Sequence, residues 1–396
     1  MAGPSPPLSE QVVSWRALSP PISLYPISRN EDYDDMSVVY SVGSNGSGQL
    51  GIGHREDVSV PKPVILDIKS LDHATQVKAG GNHTLLLSSG TLYCAGDALA
   101  GACGVRKESN EQTSRFEEVE LAIDGLVRQP SIVFCTASWE ASIIVTKDNE
   151  GRATKVYSFG TGNKGELGLG EFIFRSFKAQ LIPNFPPTGL EVIDLAASVS
   201  HVVAVLSNGE VYGWGSGRKG QLGKPEGIIQ SPRKLTGIEF KIVRAVCGRE
   251  FTYLVGDKDL GQHCILGSDK WEVRSTAPHD VRGWKDVGST WGSIFVLFEN
   301  GKLLTWGRDD HGQLAPPEIP TLEQIAIGSE HALGLSASGE VLAWGWGEHG
   351  NCGPVTENGD VKGRWNVIAS SRYLPEGSKI ATIGAGCATS WVCVTA

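Results

Sequence analysis

The sequence predicts an all-β fold, a seven-bladed β-propeller, from a sevenfold repeat and from its glycine spacing. An apolar residue followed by glycine recurs seven times, and in six copies another glycine follows five positions later. Four of these later glycines open the sequence Gly-Gln-Leu-Gly or a near copy. Self-similarity at a period of about 50 residues is typical of propellers, in which each repeat forms one blade. The seven pairs are Val42-Gly43, Ala95-Gly96, Phe159-Gly160, Trp214-Gly215, Leu266-Gly267, Trp306-Gly307 and Trp344-Gly345.

A second signature accompanies each pair: a small residue, two variable residues, a large side chain, and then an alternating apolar strand. Between the two signatures, dipeptides such as Asn208-Gly209 and Asn300-Gly301 predict tight hairpin turns. The alternation itself predicts half-buried strands. Three longer connections, 106–130, 171–191 and 355–379, are predicted to be loops on the propeller faces. The large side chains that we assign to one shared slot are His83, Trp139, His201, Phe251, Trp291, His331 and Cys387.

The order of the two signatures predicts how the ring closes. The repeat region begins with a second half, near Val38 to Gly53, and ends with a lone first half, Ile380 to Ala396. Joined in one blade, the N- and C-terminal strands close the ring and cover both sheet edges. We therefore predict one propeller domain over residues 36–396. Residues 1–35, rich in Pro and Ser, are predicted to be a flexible extension.

Composition and charge argue against several functions. The net charge is −9, and the chain has no run of Lys and Arg, so we expect no direct contact with nucleic acid. No apolar stretch approaches the roughly 20 residues that span a bilayer, and we predict no membrane partner. The N-terminus does not read as a secretory signal. None of the eight cysteines forms a Cys-x-x-Cys pair, which predicts buried, reduced thiols in an intracellular protein.

The residues that could carry chemistry are better explained by structure. His83, His201 and His331 share a slot that accepts other residue types elsewhere, so they are predicted to fill space and to bond the backbone of a neighbouring blade. The glycine-rich turns lack the Lys-Ser/Thr of a phosphate-binding loop. We find no nucleophile elbow and no carboxylate pair marked out by the repeat. The sequence therefore predicts no catalytic residue, no cofactor and no metal site.

Trp346 is the most informative position, because the repeat does not require a tryptophan there. The equivalent position, just after the apolar-glycine pair, holds Ser44, Thr161, Ser216 and Arg308 in other copies. Exposed aromatic anchors are frequent in binding hot spots, so we predict a partner-binding surface at Trp346. The alternative is that Trp346 packs on a neighbouring loop. By contrast, Trp214, Trp306 and Trp344 occupy the repeat's own position and are predicted to be core residues.

The repeat resembles that of the regulator-of-chromosome-condensation family. Its most specific segments are Gly-Ser-Asn-Gly-Ser-Gly-Gln-Leu-Gly-Ile-Gly-His at 43–54 followed by Glu56-Asp57, Gly-Gly-Asn-His at 80–83, and Gly-Ser-Glu-His at 328–331. The segments Trp-Gly-Trp-Gly-Glu-His-Gly-Asn-Cys-Gly-Pro at 344–354 and Gly-Cys-Ala-Thr-Ser-Trp at 386–391 complete the set. Together they look like the fungal alpha-tubulin suppressor, or killer-toxin-insensitivity, branch of that family. The predicted partner-binding residues are Trp346, Glu348, His349, Asn351, Glu330 and Trp391.

This resemblance implies a function and a partner. The partner would be the small CSL-type zinc-finger protein of diphthamide synthesis, held in a heterodimer. The pair would support Elongator-dependent modification of wobble uridines in tRNA and diphthamide formation on elongation factor 2, with Elongator contacted indirectly. The expected location is the cytoplasm and nucleus. The alternative is guanine-nucleotide exchange on a Ran-type small GTPase, although no convincing wedge hairpin is present; an enzyme is the third reading.

Overall fold

The computed structural model describes residues 37–66, 75–104, 113–121 and 130–395, which form seven antiparallel β-sheets. The innermost strand of each sheet lines one central channel, so the sheets are the blades of a propeller. This confirms the predicted fold class. Strands within a blade are numbered 1 to 4 from the channel outward. The predicted extension at residues 1–35 lies outside the described residues.

Five blades have four strands and two have three. Blade 1 contains β25 (Lys379–Ala385), β26 (Thr389–Thr395), β1 (Val38–Gly43) and β2 (Val58–Pro63); blade 2 contains β3 (Gln76–Ala79), β4 (His83–Ser88), β5 (Thr91–Gly96) and β6 (Thr113–Glu118); blade 3 contains β7 (Ile132–Ala137), β8 (Ala141–Lys147), β9 (Ala153–Thr161) and β10 (Arg175–Leu181). Blade 4 contains β11 (Val192–Ala197), β12 (His201–Leu206), β13 (Val211–Ser216) and β14 (Ile228–Lys234); blade 7 contains β21 (Leu322–Ile327), β22 (His331–Ser336), β23 (Glu340–Trp346) and β24 (Asp360–Ser370). The three-stranded blades are blade 5, with β15 (Arg244–Cys247), β16 (Phe251–Val255) and β17 (His263–Gly267), and blade 6, with β18 (Trp284–Ser289), β19 (Ser293–Phe298) and β20 (Leu303–Gly307).

Blade 1 joins the two ends of the described chain, as predicted. Strand β1 pairs antiparallel with β26 in an unbroken register from Val38 opposite Val394 to Gly43 opposite Thr389. Strand β25 then completes the sheet on the channel side. The ring is therefore closed by main-chain hydrogen bonds between segments more than 300 residues apart.

The three connections predicted to be loops are only partly loops, which corrects that prediction. They contain β6, β10 and β24, the outer strands of blades 2, 3 and 7. Only one face of an outer strand packs on the blade, and in β10 just Ser176 and Ala179 are buried. Such strands carry polar residues at most positions and lack the long apolar alternation that marks an inner strand in the sequence.

The predicted core tryptophans are buried between blades. Trp214 and Trp344 are fully enclosed, and Trp306 is nearly so. Each indole N–H donates to a carbonyl of the preceding blade: Trp214 to Glu166 (2.9 Å), Trp306 to Val273 (2.7 Å) and Trp344 to Gln313 (3.0 Å). One side chain thus fills the gap between two sheets and also bonds across it, contributing about 1 kcal/mol by the hydrogen bond alone.

The slot histidines also join neighbouring blades, but through side chains. His83 Nε2 lies 3.1 Å from the Ser142 hydroxyl of blade 3, and His331 Nε2 lies 2.9 Å from the Ser390 hydroxyl of blade 1. His201 Nε2 lies 3.1 Å from the Thr252 hydroxyl of blade 5. The Nε2 partner is thus a hydroxyl in all three cases, which corrects the predicted backbone partner for His83 and His201; His331 also has a backbone hydrogen bond with Thr389 of blade 1.

Each hydroxyl in turn donates to a carbonyl of the histidine's own blade. The acceptors are Ala102 for Ser142 (2.6 Å), Gln221 for Thr252 (2.7 Å) and Asn351 for Ser390 (2.9 Å). Since the hydroxyl proton is used, the histidine Nε2–H is the donor to the hydroxyl oxygen. We call this histidine, hydroxyl and carbonyl arrangement a blade clasp. Burial lowers the pKa of each of the three histidines to about 4, so the rings are neutral.

The slot assignment is wrong in three blades. At the slot, the residue's carbonyl accepts from the amide three positions earlier, as in Gly80 to His83. By this bond the slot residues of blades 3, 6 and 1 are Ala141, Ser293 and Thr389. Trp139, Trp291 and Cys387 lie two positions earlier, in the turn between strands 1 and 2. The sequence-based assignment chose the wrong residue because each of these turns contains a large residue two positions before the slot.

The cysteines only partly follow the prediction of reduced thiols. Cys94 of β5 and Cys103 of the following loop form a disulfide, which corrects that prediction for this pair. The other six cysteines are free thiols. Burial raises the pKa of Cys135 to about 12 and that of Cys264 to about 11, so these thiols stay protonated and unreactive near neutral pH.

Candidate functional site

One face of the ring carries most of the predicted partner-binding residues. In every blade the turn between strands 1 and 2 and the loop after strand 3 emerge on the same side. We call this side the upper face. Trp346 ends β23, and Glu348 and His349 follow it in the loop of blade 7. Loops on a rigid scaffold commonly carry binding residues.

Trp346 is half-buried and stands between two histidines. Its ring centroid lies 5.4 Å from that of His349, in an edge-on arrangement, and 6.4 Å from that of His311 of blade 6. The neighbouring Glu348 is exposed. Trp346 thus presents part of an aromatic surface at the upper face, inside a polar border.

Each of these histidines is fixed by a carboxylate. His311 Nδ1 lies 3.0 Å from Asp360 of β24, and His349 Nδ1 lies 2.7 Å from Asp57 of blade 1. Asp57 also accepts a bond from the Asn45 amide (2.7 Å). Sequence reasoning missed Asp360 and His311 as neighbours of Trp346. Asp57 could have been predicted from the sequence, because it belongs to one of the segments that resemble the family.

The loop carrying His349 packs directly against blade 1. Gly350 adopts a φ of +84°, and a Cβ there would lie 2.7 Å from the Cα of Ser59. Glycine is therefore required both for the turn and for the close approach. We call the surface formed by Trp346, Glu348, His349, His311 and Asp57 the seam site, because it lies where blades 7 and 1 meet.

Three residues of the predicted set do not present side chains at this surface. Asn351 is fully buried, and its amide donates to the Trp346 carbonyl (2.8 Å), which holds the loop from below. Trp391 is also fully buried, in the core between blades 1 and 2 with Leu50 and Leu86. These two side chains support the fold. Because both are fully buried, the prediction that they contact a partner directly is corrected.

Glu330 is the third of these residues. Only 5% of it is exposed, and its carboxylate bonds the guanidinium of Arg308 and the amide of Gln313 (2.8 Å). Burial raises the pKa of Glu330, with the hydrogen bond from Gln313 and the charge of Arg308 acting in the opposite direction. Glu330 therefore positions Arg308 at the edge of a neighbouring pocket.

That pocket, of about 200 Å³, lies at the upper face of blades 5 and 6. Trp271 and Trp291 form walls, and cations lie on both rings. The Arg308 guanidinium is 4.9 Å and the Lys270 ammonium 5.0 Å from the Trp271 centroid, while Arg249 is 5.3 Å from that of Trp291. Sequence reasoning missed this pocket because Trp271 follows the degenerate repeat around Leu266-Gly267.

The mouth of the central channel is narrowed by two aromatic side chains. The ring centroids of Trp139 of blade 3 and Trp291 of blade 6 are 6.2 Å apart. Below them lies a cavity of about 300 Å³. On its wall Arg244 lies 3.6 Å from Asp194 and 3.2 Å from Asp286. These pairs link blades 4, 5 and 6 through one guanidinium that is shared by two carboxylates.

The described residues offer little for catalysis. In residues 37–66, 75–104, 113–121 and 130–395 no group of three or more His, Cys, Asp or Glu side chains could hold a metal ion. The clasp pairs of histidine and hydroxyl resemble a general base with a nucleophile, but they are buried and the hydroxyl proton points to a carbonyl. Over the same part of the chain, no helix is long and apolar enough to cross a bilayer.

Seven blades, in a ring closed by pairing of β1 with β26, define a seven-bladed β-propeller. The sequence matches the model of the RCC1-like domain over residues 38–392. The chain therefore belongs to the RCC1-like family. The resemblance to this family noted from the repeat is confirmed; the finer match to its alpha-tubulin suppressor branch stays a prediction.

Individual relatives agree with this placement. An RCC1 repeat-containing protein of Schizosaccharomyces pombe is 31% identical over 372 residues, covering 90% of this chain and 99% of that protein. A mouse secretion-regulating guanine nucleotide exchange factor is 28% identical over 316 residues, covering 73% of this chain and 64% of that protein. The crystal structure of Prp20p from Saccharomyces cerevisiae is similar in fold, with a TM-score of 0.73 at 18% identity, covering 93% of this chain and 95% of that one.

Proposed function

We propose that this chain is a non-catalytic scaffold that holds a protein partner at the seam site. The observation that carries the proposal is the setting of Trp346, half-exposed between two histidines that are each fixed by a carboxylate. A partner that buries this indole would not have to order the loop first. Binding sites that are ordered in advance lose less conformational entropy on association.

The proposed partner is the small CSL-type zinc-finger protein of diphthamide synthesis. What supports it is the resemblance of residues 43–57 and 344–354 to the alpha-tubulin suppressor branch, because the structure brings these two segments together through His349 and Asp57. The heterodimer would support Elongator-dependent tRNA wobble-uridine modification and diphthamide formation, in the cytoplasm and nucleus. Elongator would be contacted through the partner, with no nucleic acid or membrane bound directly.

Calorimetry with the purified zinc-finger protein tests the proposal. Trp346→Ala should weaken binding by about 2 kcal/mol or more, the scale of an interface hot spot. Tyr373→Ala is a matched control, because Tyr373 is a 39% exposed aromatic residue on the opposite face. Both variants should melt like the wild type. Equal affinity of the wild type and Trp346→Ala would show that the seam site is not the interface.

Guanine-nucleotide exchange on a Ran-type small GTPase is the second candidate. It is favoured by the similarity to the mouse exchange factor and by the aromatic and basic pocket at the upper face. The direct assay is release of a fluorescent guanine nucleotide from a Ran-type GTPase. No acceleration at micromolar concentrations of the chain would eliminate this candidate.

A further inference from the structure

Five exposed apolar residues lie at the upper, outer rim of blades 2 and 3, in the loop after each third strand and at the start of β10. They are Leu99, Phe172, Ile173, Phe174 and Phe177, which we call the rim patch. Phe172 is 83% exposed, Leu99 53% and Phe177 48%. Single exposed apolar residues are common on protein surfaces, but adjacent ones on a monomer usually mark an interaction site.

The rim patch is held in place by specific contacts. The Arg175 guanidinium lies 4.4 Å from the Phe177 ring centroid and also donates to the Leu99 carbonyl, so it ties the two blades together. The Phe174 carbonyl accepts from the Gly162 amide (2.8 Å). Phe172 has a φ of +72°, a left-handed conformation that is uncommon for a bulky residue. The loop therefore keeps an aromatic side chain directed into solvent at an energetic cost.

The charges around the patch match a second copy of the same surface. Glu171 precedes the three apolar residues and Arg175 follows them, and both side chains are exposed. Within the described ranges neither forms an ion pair. A twofold axis through Ile173 reverses the chain direction in the second copy. Glu171 of each copy then faces Arg175 of the other, and Phe172 faces Phe174, which is the self-complementarity of an isologous interface.

We propose that the rim patch is a self-association surface and that its occupant is a second copy of this chain. Five side chains form less than the roughly 800 Å² that each partner contributes to a standard interface, so the dimer would be weak. An anionic membrane is disfavoured, because the chain carries a net charge of −9. The rim patch and the seam site share no residue, so this proposal can be tested separately from the zinc-finger partner.

Sedimentation velocity of the purified chain from about 1 to 200 μM tests the proposal. The wild type should show a concentration-dependent shift from monomer to dimer. Phe172→Ser should raise the dimer dissociation constant at least about 10-fold. Leu260→Ser is the matched control, because Leu260 is 59% exposed in the hairpin on the opposite face of blade 5. Circular dichroism should show the same fold for all variants.

Charge reversal provides the sharper test. Glu171→Arg alone and Arg175→Glu alone each place like charges across the twofold axis and should weaken self-association. A mixture of the two single variants should associate better than either alone, because every pair across the axis is then opposite in sign. A monomeric wild type over the whole range, or a mixture no better than its components, would overturn the proposal. Binding of the wild type but not of Phe172→Ser to phosphatidylserine vesicles, without dimers, would assign the patch to a membrane instead.

Discussion

Nδ1 of His349 lies 2.7 Å from a carboxylate oxygen of Asp57, although the two residues are 292 positions apart in the sequence. One belongs to blade 7 and the other to blade 1. The contact fixes the histidine that packs edge-on against Trp346, so the shape of the seam site depends on a pair that spans the junction of blades 7 and 1. Both side chains are partly exposed, which makes the pair a positioning contact rather than a source of stability.

Asp57→Asn should therefore affect binding more than folding. Loss of an exposed pair changes stability by at most about 1 kcal/mol. Freed from its carboxylate, the His349 ring would no longer hold Trp346, and we expect the affinity for the zinc-finger protein to fall about 5-fold by calorimetry. Glu56→Gln, one residue earlier and exposed, is the control. A large drop in melting temperature with unchanged affinity would contradict this division of roles.

Breaking a blade clasp should cost stability. His331→Ala removes the donor to the buried Ser390 hydroxyl and leaves a cavity between blades 7 and 1. We expect the free energy of unfolding in urea to fall by about 2–4 kcal/mol, from the lost volume and the lost hydrogen bond to the Ser390 hydroxyl. His279→Ala is the matched control, because that side chain is fully exposed. Similar losses for both variants would show that the clasp contributes nothing.

The blade clasps also predict acid sensitivity. His83, His201 and His331 have pKa values near 4 in the folded chain and about 6.5 when unfolded. The unfolded chain therefore binds more protons between these values, and stability should fall as pH decreases from 6.5 to 4. Each histidine contributes up to about 1.4 kcal/mol per pH unit in that window. Urea melts from pH 7 to 4.5 measure the slope, which should be shallower in His331→Ala.

Replacing an inter-blade tryptophan tests the role of its indole N–H. Trp344→Phe keeps an aromatic ring but loses the bond to the Gln313 carbonyl and part of the packed volume. We expect a loss of about 2 kcal/mol in the free energy of unfolding. Trp365→Phe is the control, since Trp365 of β24 is only partly buried. If the two variants unfold at the same urea concentration, the hydrogen bond from the Trp344 indole to Gln313 does not contribute to the free energy of unfolding.

The repeat made the fold predictable because inner strands and their turns have strong local requirements. Apolar alternation in β12 follows from burial, and the glycine near the end of each third strand follows from its positive φ. The outer strands β6, β10 and β24 were not predicted, because a strand with one solvated face and a bulge carries little pattern. The disulfide between Cys94 and Cys103 was not predicted, because sequence spacing alone does not show which cysteines lie close together.

The seam site was predictable only in part. Trp346 stood out because its repeat position holds small or polar residues in other blades. The histidines and carboxylates around it come from blades 6, 7 and 1, and no local pattern links Asp57 to His349. Asn351 and Trp391 belong to the motifs that most resemble the family, but both residues are buried. Asn351 holds a loop, and Trp391 fills the core. A distinctive motif does not distinguish a binding residue from a packed one.

Closure through blade 1 has a consequence for synthesis. Strand β1 is synthesised more than 300 residues before its partner β26. At translation rates of about 5–20 residues per second, the inner edge of β1 waits unpaired for tens of seconds. During that time Val38 to Gly43 are open to pairing with other nascent chains. Synthesis and docking of β26 therefore remove this aggregation hazard, because β26 covers the inner edge of β1.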